Sequence, residues 1–119
     1  DVSDSINSLR DLFGDDRNKK DDAWLQTLVY CEMYLANKND LKIMPSVYKL
    51  KRNPGPEDSE KLKISKTLTV KDYNDIRKEF LEYLNTTVRN IFNPDEPFTM
   101  TTDLWNKCSF CPYRKLCLR

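Results

Sequence analysis

The chain has 119 residues, enough for one domain or part of one. Lys and Arg number 20 against 19 Asp and Glu, so overall charge gives no sign of nucleic-acid binding and only local clustering can. There is no His, which excludes His-based acid–base chemistry and His metal ligands within this sequence.

No apolar run approaches the length of a membrane span and no signal-peptide pattern opens the chain. A soluble, cytoplasmic protein with no membrane partner is expected. The first residue is Asp1 rather than Met, so the chain reads as cut from a longer protein or as having a processed N-terminus. Residues 1–13 carry Ile6, Leu9, Leu12 and Phe13, a short amphipathic segment that Gly14 ends. DDRNKKDD follows as a mixed-charge loop, in which Arg17, Lys19 and Lys20 read as exposed charge rather than phosphate contacts. Its Asp15, Asp16, Asp21 and Asp22 offer oxygens to Mg2+, but solvated charge is the plainer reading.

Residues 22–37, DAWLQTLVYCEMYLAN, are the stretch around which the rest is organised. From Trp24 to Ala36 only Gln26, Thr27 and Glu32 are plainly polar, the pattern of a helix packed on several sides. Asp21 and Asp22 precede it as N-cap and first-turn residues. Gln26 and Tyr30, four apart, share one face. Polar groups in so apolar a helix need a partner or a cleft.

After the polar turn NKND, residues 41–50 (LKIMPSVYKL) have the composition of a strand. Ile43, Val47 and Tyr48 would form its buried side, with Pro45 confining it to a strand start, an edge or a bulge. Lys49, Lys51 and Arg52 then make a short basic run. Residues 53–61 are loop by composition. Residues 62–70, with Leu62, Ile64, Leu68 and Val70, read as an edge strand or a hairpin partner. Residues 71–93 are the clearest helix: Tyr73, Ile76, Phe80, Tyr83, Leu84, Val88, Ile91 and Phe92 recur at helical spacing, with Asp75, Lys78, Glu79 and Glu82 on the other side. Thr69 to Asp72 sketch a capping box, and Pro94 closes the helix. Residues 95–107 read as a loop anchored by buried Phe98 and Trp105.

Cys31, Cys108, Cys111 and Cys117 are unevenly placed, three of them in the last dozen residues. A secreted disulfide framework spreads its pairs through a Gly-rich chain, whereas this one has two Gly and long helical patterns. C-x2-C-x5-C supplies soft thiolates from successive turns, suited to Zn2+ or an iron–sulfur cluster. Both usually take four protein ligands. Cys31 is the fourth only if the tail folds back onto the central helix. Three reduced thiols packed by Phe110, Tyr113 and Leu116, or an incidental disulfide, are the alternatives. No paired-carboxylate pattern and no Gly-rich phosphate loop occurs.

A Gln-x-x-x-Tyr helix (QTLVY, Gln26 to Tyr30), a strand, a long amphipathic helix and a terminal C-x2-C-P-Y-R-x2-C (CSFCPYRKLC, Cys108 to Cys117) follow one another. That order resembles the C-terminal half of RecB-like nuclease domains of the PD-(D/E)xK superfamily, especially AddB-type helicase-nucleases. The likeness runs through most of the chain, and its motifs are specific at the two ends. It implies a restriction-endonuclease-like sheet flanked by helices and an Mg2+-dependent site that hydrolyses DNA phosphodiesters. In the family an Asp motif and an Asp/Glu-x-Lys motif lie on adjacent strands just before the Gln-x-x-x-Tyr helix. Neither occurs upstream of Gln26. Residues 1–119 therefore read as the C-terminal fragment of a single nuclease domain, with Mg2+ and its water handled by a portion encoded earlier.

The resemblance gives accessory catalytic roles to Gln26, which would project toward the cleft and position DNA or the catalytic lysine, and to Tyr30, stacked one turn on. From charge, Lys49, Lys51 and Arg52 are candidate contacts to DNA phosphates, against the reading of an exposed strand end. In iron–sulfur members the terminal cysteines join one far upstream, which makes Cys108, Cys111 and Cys117 candidate ligands of a 4Fe–4S cluster or Zn. The upstream partner is not in this sequence, and Cys31 lies where the family places no ligand. The expectation is an α/β superfamily fold seen here as α+β, a short sheet packed by two main helices with a Cys-containing tail. The expected function is part of a DNA exonuclease of repair or recombination, inactive alone. Its expected partners are DNA, the rest of its own protein and a helicase subunit or domain, with a strand edge open to dimerisation. A non-catalytic nuclease-like scaffold and a small Cys-metal interaction module are the other readings.

Overall fold

A computed structural model describes residues 2–14, 18–38, 41–49, 59–97, 99 and 103–117. Two helices, α1 (Asp22–Leu35) and α2 (Asn74–Ile91), and an antiparallel hairpin of β1 (Lys63–Ile64) and β2 (Leu68–Thr69) form an α+β unit of the expected class. Among the described residues no helix is long and apolar enough to cross a membrane.

α1 buries Trp24, Leu28, Cys31 and Leu35, spaced 4, 3 and 4 apart, which is a single stripe. The expectation of packing on several sides is corrected here. Tyr30, Met33 and Tyr34 are more than half exposed, because no described element covers their side of the helix. Asp21 sits at the N-cap without capping; its buried carboxylate accepts the Ser3 hydroxyl instead. The capping bond falls one short helix earlier, where the Asn18 side chain accepts from Lys20 N at the start of the 3-10 turn Lys19–Asp21.

The opening segment contributes more than a weak amphipathic turn. Ile6, Leu9 and Leu12, the last within the 3-10 turn Arg10–Leu12, are almost wholly buried and join the α1 stripe in one core with Leu62, Val70, Tyr73, Ile76 and Phe80. Ser3 ties the layers together. Its carbonyl accepts both Trp24 Nε1 and Lys49 Nζ at 3.0 Å. Burial of each large side chain in such a core is worth about 1.5–3 kcal/mol.

Of the strand expected over residues 41–50, the described part, 41–49, does not form one. Its backbone groups are taken by other partners. Ile43 N donates to Asp72 Oδ1, Tyr73 N donates to Ile43 O, and Asn74 Nδ2 donates to Leu41 O, all at the entrance to α2. Farther on, Val47 N to Glu60 O and Leu62 N to Pro45 O leave one isolated bridge, Ser46 with Lys61. Pro45, which has no N–H, is buried here as an acceptor. Ile43 and Val47 are half-buried as expected, but Tyr48 is 84% exposed. Residues 62–70, expected as one edge strand or hairpin partner, instead form a complete short hairpin, whose β1 also bridges Ile6 in parallel.

α2 starts at Asn74, where Asp72 Oδ1 accepts from Asn74 N at 3.1 Å. This bond, followed by that from Ile43 N, holds the Asp72 carboxyl below its ordinary range. The helix ends at Ile91, short of Pro94, consistent with the bar Pro places on helical backbone just before it. Beyond it the described chain runs through a π-helical turn, Leu104–Cys108, into successive turns. Trp105, expected as a buried anchor, is 83% exposed, because no core residue reaches it; Phe98 lies outside the described residues.

Candidate functional site

The exposed side of α1 carries the Gln26–Tyr30 pair. Helical spacing stacks the two side chains, and Gln26 Nε2 donates to Tyr30 Oη at 2.7 Å. Both side chains are exposed, so the bond orients a polar patch instead of filling a core. One turn on, Lys38 Nζ sits 4.3 Å from the centre of the Tyr34 ring and donates to its hydroxyl at 3.3 Å. Each tyrosine is thus held by the residue four away.

A second polar network joins α1 to α2. Arg77 Nε and Nη2 donate to the two oxygens of Glu32 at 2.8 and 2.7 Å, a fork-on-carboxylate pairing. Tyr73 Oη donates to the same carboxylate at 3.1 Å. The Arg77 hydrogen bonds are the main reason the Glu32 carboxyl sits below its ordinary range. Burial first, and then the Glu32 charge, push the Tyr73 phenol up. No local signal in the sequence announces this network, since its members lie 41 and 45 positions apart.

Of the basic run, Lys49 alone is among the described residues, and it is turned inward. Lys49 Nζ is 2.5 Å from Asp4 Oδ1 and also donates to Ser3 O, with only 9% of its side chain exposed. Its charge serves as an internal tie. Lys51, Arg52, Arg17, Asp15 and Asp16 lie outside the described residues. In the tail Cys108 and Cys111 are half-buried and Cys117 is exposed, while Cys31 is buried in α1; all four are free thiols. Desolvation pushes the Cys31 thiol up, which makes it a poor thiolate donor.

The donor chemistry of the tail suits a soft metal, but its arrangement does not. Among the described residues no three His, Cys, Asp or Glu side chains are gathered so as to hold a metal ion. The same holds, among the described residues, for the carboxylates an Mg2+ ion needs.

A profile of the PD-(D/E)XK nuclease superfamily matches residues 11–118, a span that takes in α1, the hairpin, α2 and the three tail cysteines. The chain belongs to the PD-(D/E)XK nuclease superfamily. No curated protein and no solved structure matches it. Two helices and a short antiparallel sheet are a partial form of the PD-(D/E)XK nuclease fold, and membership makes a nuclease-like role the coarse function of the chain. Gln26 and Tyr30 lie within the matched span on an open helix face.

Proposed function

We propose that this chain is part of a RecB-like, metal-dependent DNA exonuclease of repair or recombination, and that it borders the cutting cleft with the Gln26–Tyr30 face of α1. The observation carrying this reading is the 2.7 Å hydrogen bond between two exposed side chains, in a chain of this superfamily. A buried amide would be a packing device. An exposed one, aimed by a neighbouring phenol, keeps its carbonyl oxygen to accept from a lysine ammonium or a base amino group. Its work is positioning, and misplacement of reacting groups costs about 100-fold in rate.

Hydrolysis would fall to Mg2+ held by an Asp and an Asp/Glu-x-Lys motif, neither of which occurs before α1, so the chain alone is inactive. Cys108, Cys111 and Cys117 would serve an iron–sulfur cluster or Zn only once drawn together with a fourth ligand from elsewhere, since among the described residues they are not gathered. A non-catalytic scaffold is the second reading, favoured by the internal engagement of Lys49 and the scattered acidic side chains.

The test is digestion of linear DNA by the natural polypeptide that carries this sequence, with Mg2+ or Mn2+, beside the isolated chain. Gln26→Ala should lower kcat/KM about 10- to 100-fold without changing Tm, and Tyr30→Phe less. The isolated chain should not cut. Undiminished cleavage by Gln26→Ala overturns the positioning role, and DNA binding without cleavage by the natural polypeptide selects the scaffold. Visible thiolate-to-iron absorbance, or its absence beside bound zinc, identifies the tail's metal.

A further inference from the structure

A polar cavity of about 420 Å3 opens where the 5–14 segment, the turn leading into α1 and the tip of the β1–β2 hairpin meet. Arg10 and Lys66 line it, with Asn7, Asn18, Asp11 and Asp21. None of its lining residues belongs to α1, so it is distinct from the Gln26–Tyr30 face.

The hairpin tip is fixed against this cavity. Ser65 and Lys66 both have left-handed backbone, φ 52° and 65°, which residues other than Gly adopt only at a cost. Ser65 N donates to Ile6 O at 2.8 Å and Ser65 Oγ to Asn7 O at 2.9 Å, so the tip is bolted to the opening segment and Lys66 stands in the cavity wall. Among the described residues neither Lys66 nor Arg10 has an ion-pair or side-chain hydrogen-bond partner. Asp21, by contrast, is engaged by the Ser3 hydroxyl.

Arg10 and Lys66, both lining the cavity and without such a partner among the described residues, suit an anion with several acceptor oxygens. A phosphate group meets both the planar fork of Arg and the point charge of Lys. The other lining residues complement a nucleobase edge: Asn7 donates and accepts, Asn18, whose oxygen caps the turn, donates through Nδ2, and Asp11 accepts from amino groups. The volume falls in the range of small-molecule sites, roughly 300–1,000 Å3. A bare metal ion is disfavoured by Arg10 and Lys66, and a run of phosphates by Asp11 and Asp21. We propose that this cavity binds a single nucleotide, as free 5′-mononucleotide or as the end of a DNA strand, with its phosphate on Arg10 and Lys66 and its base edge on Asn7, Asn18 and Asp11. The proposal does not depend on the role given to Gln26 and Tyr30.

The test is titration of the full chain with 5′-dAMP, followed by calorimetry and amide NMR, beside deoxyadenosine, inorganic phosphate and a 5′-phosphorylated single-stranded oligonucleotide. Arg10→Gln and Lys66→Gly should each weaken dAMP about tenfold, and deoxyadenosine should bind at least about tenfold less tightly than dAMP. Lys66→Gly is informative because glycine takes the left-handed backbone freely. Relief of the left-handed strain offsets the entropy that glycine adds to the unfolded chain, so the variant's Tm should not fall while affinity does, and lost binding is not lost folding. Displacement of dAMP by the oligonucleotide assigns the site to a strand end, and failure to displace assigns it to the free nucleotide; both uphold it. Unchanged dAMP affinity in the two variants, no binding up to about 10 mM, or phosphate binding as tightly as dAMP overturns it.

Discussion

The two halves of α2 carry the same apolar spacing and meet different fates. In the first half, Ile76 and Phe80 are buried, and the Phe80 ring lies 5.6 Å from Phe13 and 6.0 Å from Tyr73. Tyr83, 6.0 Å from Phe13, is the last residue with such a ring contact. In the second half Val88 and Ile91 are about half exposed, and Phe92 just past its end is 79% exposed. Periodicity tells which side of a helix is apolar, but the chain folded around it decides how much of that side leaves water.

The widest test of this difference is a pair of truncations. Phe80→Ala should cost about 3–5 kcal/mol in chemical denaturation, through lost burial and the cavity left behind. Phe92→Ala should stay within about 0.5 kcal/mol of the parent. A large loss at Phe92 would mean that the second half has a packing partner after all.

Next in size is Tyr73→Phe, which keeps the ring but removes the hydroxyl bonded to Glu32. A loss of about 1 kcal/mol is expected, measured the same way. The contrast is with Tyr34, on the exposed side of α1, where the same change should have no measurable effect on stability.

A pH series sharpens the comparison further. Because the Arg77 hydrogen bonds lower the Glu32 pKa in the folded state, the stability they give is full above the unfolded carboxyl value, about 4.5, and is lost as pH falls through the lowered folded value. The parent should therefore melt above Glu32→Gln at neutral pH, and the two should converge in acid. A gap that stays constant across the acid range would remove Glu32 as the titrating group. The smallest effect concerns thiols. Under native conditions an alkylating reagent should modify Cys117, Cys111 and Cys108 well before Cys31, which is buried with its pKa raised, as mass spectrometry of digests would show.

Both helices were legible in the sequence, because 14 and 18 residues of regular spacing give several turns of consistent pattern. The α+β class was legible as well, whereas residues 62–70, read as one strand, turn back on themselves at Ser65 and Lys66. Residues 41–49 were not legible, since β-branched composition reports a preference for extended backbone, while Asp72 and Tyr73 decide which groups that backbone bonds. Trp105 misled for a related reason: aromatic character states a preference for burial, which needs a neighbour to satisfy it. The Gln26–Tyr30 pair was readable because its partners are four apart. The Glu32–Arg77 bridge and the cavity of Arg10 and Lys66 join distant segments, so no local pattern encodes them.

Ser3 gives the opening segment a mechanical character. Its carbonyl receives the indole of α1 and the ammonium of Lys49, its hydroxyl reaches Asp21, and its N–H donates to Lys20 O at 3.1 Å. A pull applied at residue 2 would load all four bonds at once instead of peeling them one by one. The segment should act as a latch that yields abruptly, and when it opens it would release the first turn of α1 and the Lys49 strap together.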